Sequence, residues 1–264
     1  MANQRRQTHC EHIWITGASS GIGRHLAIKL ANLGHRVIIS ARNRQALEDM
    51  ASEHEGLIPL AVDVAAPGAK ENACRRLAQL TPRLDRIILS AGCCEYFDVD
   101  RPDWQMMERV MSVNYFGAVN SIAAALPLMG ANGHIVAMAS QASRVPFPRA
   151  QAYGASKAAL TYLLESLGVD LHSKGIDVTV VQLGFVDTPM TADNDFPMPF
   201  LMSAEAAADQ LLRQLSQRPR LIRFPRRLSW MISLGQKMPG LWYRYIAPRL
   251  SRAQEEQQRA RTQV

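Results

Sequence analysis

Thr16-Gly17-Ala18-Ser19-Ser20-Gly21-Ile22-Gly23-Arg24 follows directly on the run His12-Ile13-Trp14-Ile15. A strand-like run passing into three glycines, with helical spacing over residues 23–33 beyond them, is the context in which such a loop holds a pyrophosphate. Glycine lets the backbone turn tightly, approach phosphate oxygens closely and pack the next helix on the sheet. The helix start then presents unpaired N–H groups and a partial positive charge to the anion. Glycines also make plain turns, and a lone Gly-rich string is weak evidence. Here its place at the first strand–helix crossover favours dinucleotide binding, with Gly17, Ser19, Ser20, Gly21, Ile22 and Gly23 at the phosphates. No Gly-Lys-Ser/Thr follows the glycines, which excludes the kinase type of phosphate loop.

Outward from this loop, short β-branched runs alternate with longer amphipathic stretches. The spacing predicts strands at His12–Thr16, Arg36–Ser40, 57–62, 86–90, 134–138 and 177–182. It predicts helices at 23–33, Arg44–Glu53, Ala69–Leu80, 104–128 and 153–172. That alternation implies right-handed crossovers and an α/β fold, a doubly wound parallel sheet in a Rossmann-like three-layer α/β/α arrangement. No repeat or linker divides it. A polar segment at 1–11 precedes a catalytic domain at 12–224, which closes on a helix at 203–217 and a strand at Leu221–Phe224. A basic, aromatic C-terminal extension occupies 225–264.

The 264 residues are 47% hydrophobic and 20% charged, ordinary for a globular domain. Four cysteines (Cys10, Cys74, Cys93 and Cys94) show no Cys-x-x-Cys spacing, so reduced thiols and no metal site are expected. The N-terminal segment lacks the apolar run of a secretory signal, and no stretch is long and apolar enough to span a bilayer. A cytoplasmic location is the default expectation. Of the net charge of +7, residues 1–209 carry 18 Lys/Arg against 21 Asp/Glu and residues 210–264 carry 12 against 2. The basic character therefore belongs to the extension. It lacks any nucleic-acid recognition module, and no nucleic-acid partner is expected.

The glycine spacing is Gly-x-x-x-Gly-x-Gly, and with TGASSGIG intact the chain resembles the short-chain dehydrogenase/reductase family over roughly residues 12–190. An NAD-specific site places a carboxylate at the end of the second strand. That strand ends here in Ser40-Ala41-Arg42-Asn43-Arg44, without an acid. Arg42 offers a planar, permanently charged fork to a 2′-phosphate, so NADP(H) is expected in preference to NAD(H). A solvated loop charge is the competing reading of Arg42. The resemblance further implies that Asp63, with Val64 beside it, contacts the adenine.

In Tyr153-Gly154-Ala155-Ser156-Lys157, residues four apart share a helix face, so phenol and ammonium enter one cleft. A neighbouring ammonium is expected to favour phenolate and bring the tyrosine toward a working range. Such a spacing alone is common by chance. The resemblance implies that Lys157 also holds the nicotinamide ribose, that Ser140 bonds the substrate oxygen, and that Asn114 shapes a helix kink and a water relay. It also places Ser90, Ala91, Gly92, Gly184, Val186 and Thr188 on the cofactor. Two positions depart from the family pattern. Ser90 stands in the fourth-strand wall where asparagine is usual, and Leu183 replaces a usual proline, which is expected to loosen the following loop.

These residues imply an NADP(H)-dependent oxidoreductase moving a hydride between the nicotinamide and a small-molecule carbonyl or secondary alcohol. The alternative is an NADP(H)-binding regulatory or interaction protein without turnover. The resemblance assigns selectivity to residues 93–97, 141–150 and 191–202. The last is rich in Phe, Pro and Met, which favours an apolar, lipid-like substrate over a polar metabolite; simple packing of a lid on the core is the competing reading. Family members pair subunits through the helices at 104–128 and 153–172, so a homo-oligomer is expected. The paired arginines, tryptophans and aliphatics of the extension suit either peripheral contact with the membrane's inner face or packing on the domain or a second subunit.

Overall fold

The structure, a computed structural model, describes residues 10–250 of the 264. The expected 1–11 segment lies outside them except for Cys10 and Glu11, as does the extension beyond Leu250.

In chain order the elements are β1 His12–Thr16, α1 Gly21–Asn32, β2 Arg36–Ser40, α2 Arg44–Glu53, β3 Leu57–Pro59, α3 Ala69–Leu80 and β4 Leu84–Leu89. There follow α4 Gln105–Met111, α5 Gly117–Ala125, β5 Met129–Ser140, α6 Gln151–His172 and β6 Asp177–Leu183. The chain continues through β7 Val186–Asp187, β8 Met202–Ser203, α7 Ala204–Leu215, β9 Leu221–Phe224 and α8 Arg226–Lys237. Seven strands make one sheet in the order β3-β2-β1-β4-β5-β6-β9. All of its pairings are parallel.

Strand alternation puts successive side chains on opposite faces, and the two apolar layers follow from it. Ile13 and Ile15 of β1 face α1 and α7, packing with Leu26, Leu30 and Leu211. Trp14, between them, faces the other way with Leu77, Leu160 and Leu164 of α3 and α6. Its indole N–H is satisfied by the Ser40 hydroxyl at 2.8 Å, which keeps a large polar-edged ring inside at little cost. No helix among the described residues is long and apolar enough to cross a membrane.

Three predicted elements differ. The strand expected at 57–62 is regular only over Leu57–Pro59. The ladder nonetheless continues loosely, with Leu60 and Val62 donating to the carbonyls of Ile39 and Ala41. The strand expected at 134–138 starts earlier, at Met129, and runs to Ser140. The helix expected at 104–128 is not continuous. A π-helical turn at Ser112–Phe116 separates α4 from α5, and Leu126–Leu128, with Pro127 inside it, tightens into a 3₁₀ turn.

Candidate active site

Strand ends and helix starts meet along the carboxyl edge of the sheet, where doubly wound folds hold ligands. A cleft of about 670 Å³ opens there. Gly17 leaves β1 at φ +66°, and a Cβ on it would stand 2.6 Å from the Ala91 backbone. A Cβ on Gly23 would meet the Gly17 carbonyl oxygen at 2.4 Å. The loop therefore needs glycine at both positions. Thr16, a residue the sequence reading passed over, fastens the two walls together. Its buried hydroxyl accepts from the N–H of Ser90 and of Ala91, each at 3.3 Å. A hydroxylated side chain closing the first strand was the only signal that could have marked it.

The residues fit a dinucleotide. Ser20 precedes α1 without capping it by its side chain, and no acid occupies the helix's first turn. Those amides face the cleft that Gly17, Ser19, Ser20, Gly21 and Ile22 line. Arg42, Asp63 and Val64 line it further along, as do Ser90, Ala91, Gly92, Gly184, Val186 and Thr188. Arg42 is exposed and makes no ion pair among the described residues, whereas Arg44 lies 3.8 Å from Glu48. Cys93, Met190 and Thr191 are additional lining residues that the sequence reading did not place on the cofactor.

Ser140, Tyr153 and Lys157 line the same cleft. Lys157 is buried on α6, and its ammonium donates to the Met138 carbonyl at 2.8 Å. Its Nζ lies 5.8 Å from the centre of the Tyr153 ring. Burial pulls the Lys157 ammonium down to about 8. Burial also pushes the Tyr153 hydroxyl up to about 12, against a smaller lowering by the Ser140 hydroxyl bonded to it. The shift runs opposite to the one expected from a lysine neighbour, with burial as its largest cause, and the tyrosine holds its proton at neutral pH.

Asn114 and Gly23 do not line the cleft; they stand behind it. Asn114 is buried in the π-turn, where its side-chain oxygen accepts from the Cys93 N–H at 2.8 Å and its amide donates to the Cys93 carbonyl at 2.9 Å. The same amide donates to the Ser156 hydroxyl at 2.9 Å, and Ser156 donates to the Tyr153 carbonyl at 2.8 Å. One side chain thus ties the wall after β4 to the helix that carries Tyr153 and Lys157. The substrate loops also converge. The Tyr96 hydroxyl donates to Asn194 at 2.7 Å, Phe196 packs edge-on against Tyr96, and Arg149 pairs with Asp195 at 3.1 Å. That last pair neutralises one of the two acids, Asp193 and Asp195, of the 191–202 segment.

Leu183 ends β6 in register with Ser140 and Phe224. The turn after it is held, not slack: the Gly184 N–H donates to Phe224 at 2.9 Å, and a Cβ there would meet Leu228 at 2.6 Å. Packing from α8 thus takes over the restraint expected of a proline.

A parallel seven-stranded sheet with a glycine cradle at its carboxyl edge and a Ser–Tyr–Lys cluster in the same cleft defines a nucleotide-dependent oxidoreductase fold. The family model for short chain dehydrogenases matches residues 11–197. An uncharacterized oxidoreductase of Myxococcus xanthus is 33% identical over 242 residues, 89% of this chain and 96% of the relative. The 11-beta-hydroxysteroid dehydrogenase 1A of Arabidopsis thaliana is 35% identical over 191 residues, 70% of this chain but 54% of that longer protein. A short chain dehydrogenase from Burkholderia cenocepacia, solved in complex with NADP, aligns with TM-score 0.79 and 26% identity over 90% of this chain and 98% of its own. The chain belongs to the short-chain dehydrogenase family and is an oxidoreductase.

Proposed function

We infer that this enzyme uses NADP(H) to interconvert a carbonyl and a secondary alcohol on an apolar, lipid-like small molecule, with Tyr153 as acid and base. The observation that carries the reading is the presence of Ser140, Tyr153 and Lys157 in the one cleft lined by the glycine loop and Arg42. A bound nicotinamide supplies or accepts the hydride. Tyr153 keeps its proton at neutral pH, so in reduction it donates to the substrate oxygen. The Ser140 hydroxyl is a second donor to that oxygen, where charge develops. Lys157 remains largely cationic below about 8 and would hold the ribose hydroxyls. Asn114, bonded to Cys93 and Ser156, keeps the helix carrying both groups in place and acts as a positioning residue.

Arg42, free of an acidic partner among the described residues, supports NADP(H) over NAD(H), and the Burkholderia relative was solved with NADP. The apolar 191–202 segment, the neutralised Arg149–Asp195 pair and the steroid dehydrogenase relative support an apolar substrate. Exposed Trp104, Phe116 and Tyr162 near and on α4 to α6 support a paired subunit. The test is turnover on a panel of apolar ketones and secondary alcohols, each with both cofactors. Turnover faster with NADPH and on apolar compounds is expected. Equal rates with NADH overturn the cofactor reading, and a preference for charged sugars or amino acids overturns the substrate reading.

A further inference from the structure

Among the described residues, the stretch 225–250 folds back on the domain and leaves one face of α8 uncovered. On α8, Leu228, Ile232 and Gly235 point inward, joining Val145, Phe147, Phe185 and Trp242. At 100° per residue, Trp230, Met231, Leu234 and Met238 lie along one flank of the helix with exposed Arg227 among them, and Arg226 and Lys237 stand opposite the buried face. The four apolar side chains are exposed, Trp230 to 70%. Beyond the helix, Leu241, Tyr243, Tyr245 and Ile246 are exposed too. A helix with one buried apolar face and an exposed flank of aromatic, aliphatic and cationic side chains is not explained by the packing of the described residues.

The charges around this flank are of one sign. Arg226, Arg227, Lys237, Arg244 and Arg249 lie in residues 226–250, and that stretch has no Asp or Glu. Arg226 and Lys237 stand beside the flank and Arg227 within it, and the Arg244 guanidinium lies 5.7 Å from the Tyr245 ring. Aromatic side chains suit the headgroup level of a bilayer, long aliphatics the acyl boundary, and unbalanced cations an anionic surface. A nucleic acid would use the cations and leave the aliphatics in water. A second copy would bring its own cations against these, since the same face would meet itself.

We propose that this face of the extension docks on an anionic lipid bilayer. The docked face is the outer side of the element whose inner side packs on Phe185 and Val145, beside the loops after β5 and β6. The enzyme thereby sits with its substrate side at the membrane, independently of which carbonyl compound it converts.

The test uses the full chain, sedimented with equimolar phosphatidylglycerol–phosphatidylcholine vesicles and with phosphatidylcholine alone, at low and high salt. Binding to the anionic vesicles should be at least about tenfold stronger and should weaken with salt. Two surface variants, Arg226→Gln/Arg227→Gln/Lys237→Gln/Arg244→Gln and Trp230→Ser/Leu234→Ser/Met238→Ser, should each bind about tenfold less while keeping the wild-type melting temperature within a few degrees. Wild-type protein left in the supernatant overturns the proposal, as does binding that both folded variants retain. A change from dimer to monomer in the Trp230→Ser/Leu234→Ser/Met238→Ser variant also overturns it, since the face then joins two copies.

Discussion

Tyr153 and Lys157 sit four residues apart, yet their environments push them in opposite directions from what proximity alone suggests. With the phenol raised to about 12, Tyr153→Phe removes the only proton of that ring without creating a cavity. It should lower kcat by roughly 10²-fold or more while leaving the NADPH dissociation constant nearly unchanged. Stopped-flow reduction of the best ketone, alongside a fluorescence titration with NADPH, decides this. The lysine makes a stability prediction. Its folded value of about 8 lies below the ordinary 10.5, so between those limits the folded chain binds fewer protons than the unfolded one. Stability should therefore rise as pH climbs through that window, by about 3 kcal/mol at most, and the cost of the buried ammonium is fully present below it. Lys157→Met should lack this alkaline gain in urea melts of the cofactor-free protein, and should be nearly inactive. Arg42→Ala should weaken NADPH by about 1.5–3 kcal/mol and NADH little, as isothermal titration would show. Identical losses for both cofactors would assign Arg42 to something other than the 2′-phosphate.

Helix α4 and helix α5 show where periodicity stops being informative. Apolar residues recur at helical spacing through 104–128, so a continuous helix was the natural reading, and a π-turn adds one residue without disturbing the pattern on either side. The turn exists because Asn114 finds better partners in the Cys93 backbone and Ser156 than a regular helix would give it. These contacts join segments 21 and 42 residues apart, and no local window contains them. The strands were more legible. β1 and β2 match their predicted limits because buried parallel strands are short β-branched runs with little else to compete, and the edge strand β9 matches as well. The same holds for the site: glycine loop, Tyr153 and Lys157 are local motifs, whereas Thr16 works only across strands. Asn114→Ala should strand the Cys93 N–H and carbonyl, costing roughly 2–4 kcal/mol in urea unfolding and lowering kcat more than it raises the cofactor KM. Asn114→Asp should restore only the acceptor half. A variant as stable and active as wild type would show that the π-turn holds itself.

The whole molecule differs from the bare sheet-and-helix domain by its last forty or so residues, whose charge was legible and whose packing was not. The contrast between residues 1–209 and 210–264 is a matter of counting. Which side of α8 faces inward is not, because two sides carry apolar residues and only Val145, Phe147 and Phe185, distant in sequence, select between them. The two tryptophans accordingly part ways: Trp230 is exposed, while Trp242 is 5% exposed with its indole N–H donating to the Pro146 carbonyl at 2.8 Å. Trp242 also rests on Gly235, where a Cβ would stand 2.4 Å from the ring. Arg144 adds polar ties from the same loop to Ser233 at 2.7 Å and Gln236 at 3.1 Å. Gln141, next to Ser140, bonds the Ser229 hydroxyl. Among the described residues, the extension therefore braces the loops after β5 and β6 and makes no such contact with the glycine loop. Trp242→Ala should cost about 3–5 kcal/mol, from lost burial and the cavity it leaves. In the fraction still folded, it should raise the substrate KM or lower kcat through a displaced Ser140 loop. Gly235→Val, which drives the ring from its seat without deleting it, should act in the same direction. NADPH affinity, set chiefly at the glycine loop and Arg42, should change by less than about threefold in both. Equal loss of NADPH affinity and substrate turnover would mean that the extension supports the cofactor instead, and unaltered stability would mean that the Trp242 seat contributes nothing to the fold.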